Sequence, residues 1–429
     1  MTPAGRIEAA IALVSEILDA PRRPADALAT AFFRARRYIG AADRRWIAGE
    51  VWQILRRHRR LSWWLGADRP AARLLLGASL LLSGTSLASL VELFSGARFA
   101  PAPLGPGELA ALRLLEGQRL DHPAMPAGVR LEIPDCLQGP LAARFGAALG
   151  EELAALARPA PLDLRVNLLK TTRDDALQAL AREGISARVT QFSPWGLRLP
   201  QRRPITGSRA FRSGLIEVQD EASQIAAWLV GAEPGERVAD LCAGSGGKTL
   251  ALAMAMRNQG HIVAADVSAV RLDAAGQRLR RAGVGIAERH LFREDDQWAA
   301  RNVEKFDRVL VDAPCTGSGL WRRRPDQRLK IGAIEFAEFP PRQAAILDLA
   351  AALVRKQGRL VYATCSVLVE ENEAQVSGFL ARHADFAQIS AAAAGQLPAG
   401  LGAGPGGLLL TPARHGTDGF FVALMEKRS

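Results

Sequence analysis

The sequence predicts an α/β protein in three parts: an all-helical N-terminal region, a small α+β unit, and a doubly wound α/β domain. Three observations predict it. Apolar residues recur at helical spacing near the start, as in Ile7, Ile11, Val14 and Leu18. From Val218 onward, short apolar runs alternate with helical stretches. A glycine-rich turn follows the first of these runs, where an open parallel sheet binds ligands.

The 429 residues leave room for two or three domains of roughly 100–200 residues each. With 48% hydrophobic and 23% charged residues the composition is ordinary for a globular protein, which excludes disordered and fibrous classes. The longest apolar tract, around residues 74–82, is too short for a membrane span and is broken by Gly77 and Ser79. The N-terminus is amphipathic and lacks the basic head, apolar centre and cleavage site of a secretory leader, so a cytoplasmic location is expected. Cys136, Cys242, Cys315 and Cys365 are too scattered for a disulfide framework or a zinc cluster and are expected to be reduced. The net charge of +11 points to a polyanion as partner, and the first 120 positions hold 17 arginines against 10 acidic residues. Arginines on solvated faces are the competing reading.

Residues 5–19 and 25–60 read as helices, followed by helices at 70–82, 86–94 and 108–116 and a Pro- and Gly-rich boundary at 123–140. Arginine pairs between Arg36 and Arg60 interleave with Tyr38, Trp46 and Trp52, with Trp63 and Trp64 beyond; tryptophans at this spacing are expected to be core. From Pro161 the pattern changes to a strand at 162–167, a helix at 173–183, and strands near 187–190 and 197–199. Thr172 and Gly184 serve as start and stop signals for that helix. Buried strands follow at 238–242, 262–265, 309–311 and 360–364. Two more, at 408–411 and 420–424, are expected to finish the sheet as an antiparallel hairpin. The resulting domains are 1–125, 126–215 and 216–429.

The turn after the first of these strands reads Cys242-Ala243-Gly244-Ser245-Gly246-Gly247-Lys248. It fails as a P-loop because Cys242 stands where that motif needs glycine. It fails as a dinucleotide fingerprint because Thr249 stands where the third glycine belongs. What survives is a turn whose backbone can approach a ligand closely, with Asp266 at the end of the next strand to accept both hydroxyls of a ribose. An adenosine without phosphates fits.

The fourth and fifth strands run into Asp312-Ala313-Pro314-Cys315 and Thr364-Cys365-Ser366, so both thiols and Asp312 are expected around one crevice. A zinc-dependent deaminase needs ligands in close pairs, which the six His and four Cys do not supply, and no metal is expected. The acid at the ribose meets a need shared by dinucleotides and S-adenosylmethionine, and two thiols beside a loop for that methyl donor suit other chemistry. Carbon 5 of a pyrimidine is a poor nucleophile until a thiolate adds to carbon 6. A second ionisable group can then direct loss of the carbon 5 proton and expulsion of the thiolate. Amino-group methylation, which needs no thiol, and a non-catalytic RNA-binding assembly factor are the competing readings.

On these residues, together with 164–167, 218–223, Glu371-Asn372 and 418–421, the chain resembles the Nol/Nop/Sun family of RNA cytosine-C5 methyltransferases, in its bacterial Sun (RsmB) type. The resemblance implies a class I, Rossmann-like methyltransferase domain preceded by a NusB-like helical domain and a partial RNA-recognition fold. It implies Cys365 as nucleophile, Cys315 assisting its release, and Asp312 near N3 of the cytosine and close to the cofactor. S-adenosyl-L-methionine would be held by Cys242, Ala243, Gly244, Ser245, Gly246, Gly247, Lys248 and Asp266. The implied substrate is small-subunit ribosomal RNA or an assembling particle, with phosphate contacts from Arg322, Arg323 and Arg324; a monomer is expected. Gly244-Ser245 replaces the family's usual Ala-Pro. No acid directly follows the third strand, where Glu294, Asp295 and Asp296 come only after Arg293, so the adenine contact is unassigned.

Overall fold

A computed structural model describes residues 1–429 apart from 202, 294, 295, 393–396, 403, 405 and 429. Residues 1–139 and 323–332 form one compact unit. Its helices Pro3–Leu18, Ala25–Ala35, Ala41–Arg56, His58–Leu65, Ala72–Leu81, Leu87–Leu93 and Pro106–Arg113 bury a core that includes Ile7, Leu13, Phe32, Ile47, Val51 and Leu75. The helix expected over 25–60 is broken at Arg36 and again at Arg57, both of which leave helical geometry. Trp46, Trp52 and Trp64 lie half-buried against the core rather than inside it. Segment 323–332, expected with the methyltransferase part, packs here. Asp326 Oδ2 accepts Ala25 N at 3.2 Å, supplying the cap that Pro24 lacks, and Lys330 Nζ donates to Arg23 O at 2.7 Å.

Residues 140–322 and 333–429 form the second compact unit, which contains two sheets. The first comprises β1 (Leu162–Val166), β2 (Arg188–Val189), β3 (Gly196–Leu199) and β4 (Ile216–Val218), antiparallel throughout in the order β2-β3-β1-β4. β4 carries this sheet past the boundary expected at 215. Helix Arg173–Arg182 packs on it, its first turn capped by Thr172 Oγ1, which accepts Asp175 N at 3.1 Å.

The larger sheet comprises β5 (Arg237–Leu241), β6 (His261–Asp266), β7 (Ala287–Leu291), β8 (Phe306–Asp312), β9 (Val354–Thr364), β10 (Phe386–Ile389), β11 (Leu408–Leu410) and β12 (Phe420–Lys427). Its order is β10-β12-β9-β8-β5-β6-β7, with β11 also paired to β12. β5 to β9 are parallel, whereas β12 runs antiparallel to β9, β10 and β11. The expected terminal hairpin is therefore only part of the arrangement, since β12 sits between β9 and β10. Both faces are covered, which explains the continuous apolar strands. Val238, Ile262, Leu310 and Val361 pack with helices Glu221–Leu229 and Gly247–Ala255, while Ala239, Val263, Val309 and Leu360 pack with helices Ala333–Leu353 and Glu373–Arg382. Among the described residues no helix is long and apolar enough to cross a membrane.

Candidate active site

Parallel register decides which side chains meet. Leu241 pairs with Ala265 and with Val311, Asp266 with Leu291, and Asp312 with Ala363. The glycine turn, Asp266, Asp312, Cys315 and Cys365 thus stand at the carboxyl ends of neighbouring strands, as expected of an open parallel sheet.

Cys242, Gly244 and Gly246 have φ of 59°, 56° and 74°, so the turn coils tightly and starts helix Gly247–Ala255 at once. Asp266 Oδ2 accepts Gly244 N at 2.8 Å and Oδ1 accepts Ser268 N at 2.8 Å, which ties the carboxylate to the turn. Two arginines hold the turn's carbonyls from behind. Arg278 Nη1 donates to Ser245 O at 2.7 Å, and Arg165 Nη1 donates to Gly247 O at 2.7 Å and also to Gln219 Oε1. Burial pushes the Arg165 guanidinium down to about 9. A Cβ at Gly244 would meet only Cys242 O, at 3.9 Å, so there is room over the turn for a ligand. That room, with a carboxylate beside it, fits an adenosine carrying no phosphates.

Asp240 is fully buried at the end of β5. Burial pushes its carboxyl up to about 7, although Thr249 Oγ1 donates to Oδ2 at 2.6 Å; Oδ1 finds no donor among the described residues. Burial, reinforced by the carboxylates of Asp312 and Asp266, pushes the Cys242 thiol up to about 12. A thiol held protonated in this way is a poor nucleophile.

The Sγ atoms of Cys315 and Cys365 lie 3.3 Å apart, and both residues are half-buried. The hydrogen bond to Cys365, and then burial, push the Cys315 thiol up. Cys315 consequently keeps its proton and can present it to the neighbouring sulfur. Three positions before Cys315, Asp312 Oδ2 pairs with Lys248 Nζ at 2.7 Å, while the Asp312 side chain remains 30% exposed. Lys248 Nζ also lies 4.8 Å from the Phe420 ring centroid.

Arg322 departs from the expected role. Its side chain is 6% exposed, pairs with Asp418 at 2.9 Å, and donates to Thr417 O at 3.0 Å and Gly416 O at 3.2 Å. So buried and paired, the guanidinium presents little surface to a phosphate. Arg323 is half-buried and Arg324 exposed, both within the helical unit's segment 323–332. Glu294 and Asp295 lie outside the described residues, and Asp296 caps the following turn by accepting Trp298 N at 2.8 Å. Sequence reading missed Arg165 and Gln219 as loop supports. Both lie in motif stretches, but their spacing carries no chemistry of its own.

A family model described as 16S rRNA methyltransferase RsmB/F matches residues 227–426, and one described as an RsmF/B-like ferredoxin-like domain matches residues 133–206. The probable ribosomal RNA small subunit methyltransferase B of Synechocystis is 35% identical over 313 residues, covering 72% of this chain and 70% of that protein. Ribosomal RNA small subunit methyltransferase B of Pseudomonas syringae pv. tomato is 36% identical over 304 residues, covering 70% and 66%. Among solved structures, PH0851 aligns over 100% of this chain and 99% of its own with a TM-score of 0.81 and 26% identity. A methyltransferase homologue from Pyrococcus horikoshii aligns over 70% of this chain and 97% of its own, with a TM-score of 0.61 and 30% identity.

Proposed function

Because the chain belongs to the RsmB/F family of 16S rRNA methyltransferases, we propose that it methylates carbon 5 of a cytosine in small-subunit ribosomal RNA through a transient bond from Cys365 to carbon 6. The observation that carries this reading is the pair of thiols 3.3 Å apart at the ligand edge of the sheet. Amino-group transfer has no use for such a pair.

S-adenosylmethionine, the methyl donor of this family, would supply an electrophilic methyl carbon when bound over the glycine turn, with Asp266 at its ribose. Asp312, pinned by Lys248, holds the cytosine edge near N3. The thiolate of Cys365 is the attacking form; as its sulfur bonds to carbon 6, the electron pair of the 5,6 double bond moves to carbon 5, which takes the methyl group, and the pair of the broken methyl–sulfur bond stays with the donor, which would leave as a neutral thioether. Water then removes the carbon 5 proton, the double bond re-forms, and the bond from carbon 6 to sulfur breaks. Cys365 departs as thiolate with the Cys315 S–H donating to it. The helical unit, with Arg323 and Arg324 at its segment 323–332, would contact RNA phosphates.

Thiol substitutions test the reading. Cys365→Ala should abolish transfer with RNA binding kept. Cys315→Ala should leave a protein–RNA adduct that survives denaturing gel electrophoresis. Normal methylation of carbon 5 by both variants would overturn the two-thiol mechanism.

A further inference from the structure

The turns carrying the two cysteines are joined underneath by one carboxylate. Glu371 is fully buried, and its hydrogen bonds come from uncharged donors. Oε1 accepts Thr316 N at 2.8 Å and Gln343 Nε2 at 3.2 Å, while Oε2 accepts Thr316 Oγ1 at 2.6 Å and the Ser366 hydroxyl. Thr316 directly follows Cys315, and Ser366 directly follows Cys365. Gln343 Nε2 also donates to Pro314 O at 2.9 Å, on the other side of Cys315. The Glu371 main chain is anchored in turn by Tyr362 Oη, which donates to its carbonyl at 2.7 Å.

Neighbouring hydrogen bonds complete the clamp. Asn372 Nδ2 donates to Ser366 O at 3.0 Å, and Gly319 N donates to Cys365 O at 3.0 Å. No cation is among these donors in the described residues; burying a carboxylate on uncharged donors is costly, and burial does push the Glu371 carboxyl up. A leucine would fill such a site more cheaply unless the four donors had to be gathered to one point.

We infer that Glu371 is a positioning residue for the covalent step, its carboxylate locking the turns around Cys315 and Cys365 so that the two sulfurs stay in contact. This rests on the roles proposed for the two thiols. The Cys315 proton can assist departure of Cys365 only across a short gap, and a shift of about 1 Å is enough to lose most of such an interaction. Gln at position 371 keeps the shape but offers one acceptor oxygen and turns an amide N–H₂ toward a donor.

Two measurements on the full chain test the inference. The first needs no RNA: diamide, which accepts the two thiol hydrogens, should link Cys315 to Cys365 quickly in the wild type, with the bridge mapped by mass spectrometry. Glu371→Gln should form that bridge about tenfold more slowly or worse. The second is single-turnover methylation, which should fall by about tenfold or more with KM for RNA and for S-adenosylmethionine unchanged. Thr316→Val, which removes one hydroxyl donor and keeps the shape, should lower both rates by about threefold, and it decides the matter if Glu371→Gln does not fold. Wild-type bridge formation and methylation in either folded variant would overturn the inference. Slowed bridge formation in a protein whose wild type transfers no methyl group would uphold the positioning role while removing the proposed function.

Discussion

Asp240 shows how a single buried carboxyl writes a pH dependence into the fold. Folded, it keeps its proton up to about pH 7, whereas its ordinary value is 3.8. The folded state therefore binds more protons between these values, and the stability associated with that proton is complete below the lower one and lost as pH rises toward the upper. Asp240→Asn should flatten this part of the profile. In chemical denaturation between pH 4 and 7 the wild type should lose up to about 1.4 kcal/mol per pH unit more than the variant. Arg322 gives a second outcome at this scale. Arg322→Ala removes a buried guanidinium that pairs with Asp418 and donates to Thr417 O and Gly416 O, so it should lower stability by about 3 kcal/mol, read by thermal unfolding, while the RNA affinity of the folded protein stays unchanged. Three consecutive arginines look the same in a sequence whether they are solvated or paired. The placement of Cys315, Cys365 and Asp312 at strand ends was legible because strand-end motifs are local.

Among elements, the glycine turn depends on a strand from a different sheet. Arg165 on β1 reaches Gly247 O, so the small sheet supports the turn over which a cofactor would lie. Arg165→Met should weaken S-adenosylmethionine binding about tenfold by titration calorimetry, with RNA affinity kept. The central strands were legible from their apolar runs, since burial on both faces demands them. β10 was not legible: at four residues, with one fully buried position, it carries little pattern, and its pairing with β12 comes from a distant part of the chain.

At the scale of the whole molecule, the +11 charge sets the expected behaviour toward RNA. Affinity should fall steeply with salt, and replacing Arg323 and Arg324 together by Ala should reduce the log–log salt slope by about 0.7–0.9 for each phosphate that is no longer neutralised, measured by filter binding. Asp326→Ala should instead destabilise the helical unit by about 1 kcal/mol, since it removes the acceptor for Ala25 N.

By itself the sequence determined the alternating strands, the glycine turn and the two cysteine-bearing strand ends, because periodicity and turn chemistry act over a few neighbouring residues. Only the tertiary structure decided that Arg165 braces the turn, that Glu371 gathers both cysteine turns, that Arg322 is buried against Asp418, and that segment 323–332 packs with the helices. Those facts depend on which distant atoms come within about 3 Å of each other, and spacing along a chain carries no record of that distance.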